Sequence, residues 1–244
     1  MRSTGNDIVA LGAINKARTN QIQFYSKILS VSEQALYTQL DLPDLPFENF
    51  VWLLWSVKES VYKYQQRITP DLIFAPSKII IQQIAPPFEW GMEEADAFYK
   101  GKVLYGSDIL YFRSRVSDAL IASVISDQES FEHTRWGVQL IDDPGNDRQS
   151  SENDQQTLWN DQQSLWHDHQ SVAVRNLVLQ KLSAICAMTT DEGHPIHCSG
   201  DDLRIGKSSA GYPVVLNGEE EVDIPVSLAH HDRYVAYSFV LPPY

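Results

Sequence analysis

The chain has only two cysteines in 244 residues, Cys186 and Cys198, which is too few for a disulfide framework and outside any C-x-x-C spacing. A reducing, cytoplasmic setting is expected. No apolar run approaches the roughly 20 residues that a membrane-spanning helix needs. The longest candidate, Phe50 to Trp55, stops at Ser56 and a Lys-Glu pair. A signal peptide is not expected either, because Gly5, Asn6 and Asp7 interrupt what would be its apolar region. Basic residues are scarce, 19 Lys and Arg against 32 Asp and Glu, for a net charge of −13. Such a surface repels polyphosphate backbones, so neither nucleic acid nor a membrane is the expected partner. There is no P-loop and no Gly-rich dinucleotide fingerprint. What is present is core-forming material, 43% hydrophobic and 11% aromatic, which excludes wholesale disorder. The length suits one large domain or two small ones.

Periodicity divides the chain. Ile8-Val9 reads as a strand behind a Gly-Asn-Asp turn. Gln21 to Leu40 has helical spacing, with Ser30 and Ser32 as N-caps of a second helix, and Asp41 to Pro46 is a connector. Phe47 to Arg67 is expected as a helix burying Phe50, Leu53, Leu54, Val57 and Val61, ended by Pro70. Lys78 to Ile84, Gly101 to Tyr105, Leu110 to Val116 and Leu120 to Ser126 then read as an antiparallel meander. Between Asp142 and Gln170 the composition collapses to Asp, Asn, Gln and Ser, the mark of a linker or long surface loop. Trp159 and Trp166 form a weak Leu-Trp echo within it. Ser171 to Met188 is helical again, and Leu203 to Ile205, Pro213 to Leu216 and Tyr234 to Leu241 are strands. Helices then strands, a polar break, helix then strands: an α+β fold of two lobes is the natural inference.

Few residues suggest chemistry by themselves. On local sequence Asp7 reads first as a turn residue, and Glu59 with Lys63 reads first as a solvent-facing i,i+4 ion pair. Trp55, Lys58, Glu59, Tyr62 and Lys63 nevertheless crowd charge and aromatic rings into two helical turns. Ser227 and His230 lie in a turn before a strand, with too little between them for a nucleophile–base pair. His167-x-His169 and His194-x-x-His197-Cys198 mimic metal spacing but sit in polar or turn-forming stretches, without a fourth ligand for zinc.

Three segments together resemble the 4′-phosphopantetheinyl transferase superfamily. Gly5-Asn6-Asp7-Ile8-Val9 resembles its G-x-D-I-x motif, Trp55 to Lys63 its W-x-x-K-E-S/A-x-x-K motif, and Ser227-Leu228-Ala229-His230 its S-x-S-H motif. Phe24 to Glu33 is similar to the stretch that follows the first motif. Enzymes of the surfactin-synthetase type are pseudodimers of two similar α+β lobes, with the S-H motif in the first lobe and the other two in the second. Here the order is reversed, as in the small holo-acyl-carrier-protein synthases, whose chains are about half as long and trimeric. The resemblance therefore implies a circularly permuted pseudodimer, monomeric, with a metal-binding lobe over 1–127, an acidic linker over 128–170 and a coenzyme A-binding lobe over 171–244. Arg175 and Gly211-Tyr212-Pro213, similar to a G-K-P motif, fall in the last.

The implied reaction moves the phosphopantetheine arm of coenzyme A to a serine of an apo acyl or peptidyl carrier protein. By resemblance, Asp7 and Glu59 would ligate Mg²⁺, with Glu59 also helping to deprotonate the serine. Lys63 would contact the pyrophosphate, with Lys58 second to it because its direction on the helix differs. Ser227, His230 and the Gly211, Tyr212, Pro213 turn would bind coenzyme A. Val9 stands where the surfactin type has another acid, which leaves two carboxylates and water for the metal. Ala229 replaces a serine and Tyr212 a lysine, with Lys207 as the candidate to compensate. Arg2, Lys16, Arg18 and Lys27 face Asp7 alone within residues 1–30, so this basic segment is expected to receive the acidic carrier. The competing reading is a family member that has lost turnover and only binds the carrier or coenzyme A.

Overall fold

The computed structural model describes residues 3–40, 45–87, 98–142, 155–188 and 202–242. Its first half is organised by α4 (Phe47–Ile68), whose expected apolar stripe is fully buried: Phe50, Leu53, Leu54, Val57 and Val61. Pro46 sits just before the first turn, and the chain leaves the helix at Thr69, whose N–H closes on the Gln65 carbonyl before Pro70. Cutting Phe50 back to alanine would cost about 3–5 kcal/mol at such a site.

Against α4 lies a five-stranded antiparallel sheet. Its strands are β1 (Gly5–Ala10), β2 (Ile79–Ala85), β3 (Tyr99–Tyr105), β4 (Asp108–Val116) and β5 (Leu120–Ser126), in the order β1-β5-β4-β3-β2. The expected meander is β2 to β5, and β1 closes it at the far edge. Three short helices precede α4: α1 (Lys16–Thr19), α2 (Ile22–Tyr25) and α3 (Val31–Leu40). The last opens with a reciprocal cap, in which Glu33 N–H donates to Ser30 Oγ (3.2 Å) and Ser30 N–H to Glu33 Oε2 (2.7 Å).

The second half builds on α5 (Gln155–Met188). It packs against a three-stranded sheet, β10 (Val226–His231), β11 (Tyr234–Val240) and β6 (Thr134–Leu140), in the order β10-β11-β6. A small sheet of β7 (Leu203–Lys207), β8 (Pro213–Asn217) and β9 (Glu220–Val222) adjoins it. Val174, Val178, Leu182, Val215, Val235 and Phe239 form this core. The class is therefore α+β with antiparallel sheets, as expected.

Three details differ from the sequence reading. The polar stretch expected as a linker over 128–170 holds β6 and the first half of α5. Its composition conceals the helix because the helix is held by tertiary bonds: Trp166 Nε1 and Gln170 Nε2 both donate to the Asp232 carbonyl. β6 pairs along its whole length with β11, 94 or more residues later, which no local pattern reports. Ser227 to His231 is strand rather than turn, made so by its pairing with β11. No helix among the described residues is long and apolar enough to cross a membrane.

β1 joins the two halves. One side of it lies flush on α4, where a Cβ on Gly5 would stand 1.9 Å from the Ser60 carbonyl oxygen, so only glycine fits. The other packs small residues together, Ile8 and Ala122 against Ala229 and Ala236. The open edge of β1 is covered by β10 and β11: Asn6 N–H donates to Ser227 Oγ (3.1 Å) and Ala10 N–H to His231 Nδ1 (3.1 Å), while Thr4 and Ser238 share a bond (2.8 Å).

Candidate active site

The close seating of β1 on α4 decides which side chains meet. Residues alternate along the strand, so Asp7 points to the same side as Gly5, toward the helix. On α4, Glu59 and Lys63 are one turn apart on the facing side. Lys63 Nζ donates to Asp7 Oδ1 (3.1 Å) and to the Asn6 carbonyl (3.0 Å). Glu59 makes no hydrogen bond or ion pair to a described residue. Burial, and then the charge of Asp7, push its carboxyl up to about 7 against the opposing pull of Lys63. Two carboxylates thus share one ammonium in a partly buried place. Among the described residues no group of three or more His, Cys, Asp or Glu has metal-binding spacing.

His230 lies on the α5 side of β10, its ring edge-on to His167 at 4.7 Å. Burial, and then the charges of His167, Lys63 and His231, lower its pKa to about 4, so it is a neutral imidazole near pH 7. The neighbourhood of Lys63 that this shift reports brings His230 toward Asp7 and Glu59 without a direct bond. Ser227 points the opposite way, is buried, and its hydroxyl accepts the Asn6 N–H. Ser227 and His230 are therefore on opposite faces of one strand, which removes the nucleophile–base pairing. Gly211 (φ +87°) makes a tight turn between β7 and β8, with its N–H on the Ser208 carbonyl at 3.0 Å. Pro213 begins β8, and the Tyr212 ring lies under the Arg67 guanidinium at 4.8 Å.

Lys58 is the expected site residue that falls elsewhere. One position before Glu59, it is rotated by about 100° around the helix and is fully buried. Its ammonium donates to the Ile28 carbonyl (2.6 Å), Glu33 Oε2 (2.8 Å) and the Pro76 carbonyl (3.1 Å). All three donors are used internally, so a coenzyme A contact is corrected to a structural ion pair. Trp55 and Tyr62 likewise serve packing, both against Phe74. His167 and His169 do not converge: one meets His230 and the other stacks on Trp166. His194, His197 and Cys198 lie outside the described residues.

One residue at the site was missed. Arg67 continues the row of Glu59 and Lys63 by one more helical turn, and that period was legible. His167 was read only for its spacing from His169, because its approach to His230 depends on how α5 docks.

A strand-borne Asp beside a helix-borne Glu and Lys defines a carboxylate–lysine centre suited to phosphate chemistry. Residues 3–90, which contain all three, match the family model of the 4′-phosphopantetheinyl transferase superfamily. The superfamily resemblance carried by the motifs is thereby shown for that part of the chain, and it supports a phosphopantetheine-transfer role in general. No curated protein matches the chain.

Proposed function

We propose that the chain transfers 4′-phosphopantetheine from coenzyme A to a serine of an apo acyl or peptidyl carrier protein, releasing 3′,5′-ADP. The observation that carries this reading is the pairing of Asp7 with Glu59 beside a single lysine, inside the segment that matches the superfamily. Two carboxylates with one ammonium leave negative charge that a divalent cation would offset. Their hard oxygens are the donors that Mg²⁺ takes, with water and phosphate oxygens to complete its shell. Asp7 and Glu59 would hold it, and when bound it supplies neutralisation of the pyrophosphate charge.

The chain's own groups do the rest. Glu59 accepts the proton of the carrier serine. The serine oxygen bonds to the β-phosphorus as the bond from that phosphorus to the bridging oxygen breaks, and the electron pair leaves on 3′,5′-ADP. Lys63 has a third N–H to offer the pyrophosphate, and neutral His230 offers a ring N–H. Gly211, Tyr212 and Pro213 hold the nucleotide end, and Ser227 keeps β10 against β1. The two halves act as the lobes of a permuted pseudodimer within one monomeric chain, and the exposed Lys16 and Arg18 receive the carrier.

Asp7→Ala and Glu59→Ala test the reading. Each is expected to abolish transfer of phosphopantetheine to a panel of apo carriers while moving Tm by only a few degrees. Wild-type turnover in either variant would contradict it. Saturable coenzyme A binding by a wild-type protein that transfers nothing would instead identify a binding module.

A further inference from the structure

Arg67 is the only described side chain of α4 that donates hydrogen bonds into the second half of the molecule. It sits in the last turn of the helix, on the same face as Glu59 and Lys63, eight residues or about 12 Å along the axis from Glu59. Its Nη2 donates to two backbone carbonyls that are far apart in sequence, Pro213 and Val226, the second at 3.0 Å. Its guanidinium plane covers the Tyr212 ring at 4.8 Å. No described carboxylate pairs with it; Glu221 and Asp223 act on it only at longer range. A partly buried cation that is given to carbonyls and a ring, instead of to a carboxylate, is fixing backbone.

The backbone it fixes is informative. Pro213 follows Gly211 and Tyr212, and Val226 precedes Ser227, so the two carbonyls flank the turn and the strand proposed to meet coenzyme A. One rigid helix therefore carries the carboxylate at its middle and, two turns on, a clamp on the backbone of the second half. The geometry points to Arg67 as a positioning residue for the nucleotide part of coenzyme A, acting through the 211–213 turn and the start of β10. This rests on the proposed transferase reading. The planar fork is needed for it: a lysine ammonium at 67 is shorter and does not stack on Tyr212 in the same way.

The test compares Arg67→Ala and Arg67→Lys with Thr4→Val, which deletes another bond between the halves, Thr4 to Ser238, away from the turn. Affinities for coenzyme A and for 3′,5′-ADP are measured by calorimetry, together with Tm and the KM values for coenzyme A and carrier. Arg67→Ala is expected to weaken both ligands by about tenfold or more, as misplacement of a positioned group does. It should raise the coenzyme A KM in step and leave the carrier KM within about twofold. Arg67→Lys, which keeps the charge and serves if the alanine variant does not fold, should fall in between. Thr4→Val should lower Tm without changing either affinity. Unchanged affinities in a folded Arg67 variant, or equal weakening by Thr4→Val, would overturn the inference alone. A wild-type protein that binds neither ligand would overturn the transferase reading and this inference with it.

Discussion

Replacing Lys58 with methionine separates a structural lysine from a chemical one. Its ammonium is fully buried and holds Glu33, the Ile28 carbonyl and the Pro76 carbonyl. Glu33 is equally buried, and besides Lys58 it accepts the Ser30 N–H (2.7 Å) and the Ile81 N–H (2.9 Å). Burial lowers the Lys58 pKa, and the charge and hydrogen bond of Glu33 oppose that shift. Methionine conserves the volume but leaves Glu33 without its counter-charge and two carbonyls without a donor. Breaking one partner of a buried pair costs about 3–5 kcal/mol. At about 2–4 °C per kcal/mol for a chain of this size, Tm should fall by roughly 6–20 °C. Replacing Glu33 as well should recover only part of this, because the Ser30 and Ile81 N–H groups still need an acceptor. Thermal unfolding gives the first quantity, and transfer assays well below Tm give the second: kcat and both KM values within about threefold of wild type. Loss of activity at an unchanged Tm would refute this reasoning and return Lys58 to the coenzyme A site.

Other expectations follow from the same geometry. With divalent cations chelated, Glu59→Gln should stabilise the protein at pH 7.5 more than at pH 5. The folded-state pKa is raised from 4.5 to about 7, so that group's contribution is fully present below 4.5 and is lost as the pH rises through 7. Since Glu59 is partly solvated, a gain of about 1–2 kcal/mol is expected in thermal melts; no pH-dependent difference would sink the assignment. His230 has the opposite sign, with its pKa lowered to about 4, so its contribution is present above 6.5 and is lost as the pH falls through 4. His230→Asn should therefore flatten the acid limb of the Tm profile between those values. Lys16→Glu with Arg18→Glu should raise the carrier KM and leave that for coenzyme A alone, because both side chains are exposed, Lys16 only 3.6 Å from Glu48 and Arg18 over the Phe24 ring. Steady-state kinetics with each substrate varied decides this, and an unchanged carrier KM removes the docking face.

Local pattern was enough where one element makes its own case. The buried stripe of α4, the meander of β2 to β5 and the Ser30 N-cap are written at short range. So is the shared face of Glu59 and Lys63, whereas the meeting of Lys63 with Asp7 needed the fold, 56 residues away. What escaped depends on distant partners. β6 and β10 are strands because β11 lies beside them, and the first half of α5 is fixed by the Asp232 carbonyl. Lys58 was kept as a contact on motif identity although its direction on the helix already set it apart from Lys63, and that direction takes it to Glu33 instead. Arg67 was overlooked although its spacing from Lys63 is the same four residues that linked Lys63 to Glu59.

The most direct test is intact-mass analysis of apo carrier proteins incubated with the chain, coenzyme A and Mg²⁺, with and without a chelator. The expected result is a gain of one phosphopantetheine arm on a carrier serine, blocked by chelation and absent with Glu59→Ala. Modification that survives chelation would contradict the role given to Asp7 and Glu59. No modification of any carrier by a protein that folds would contradict the transferase itself.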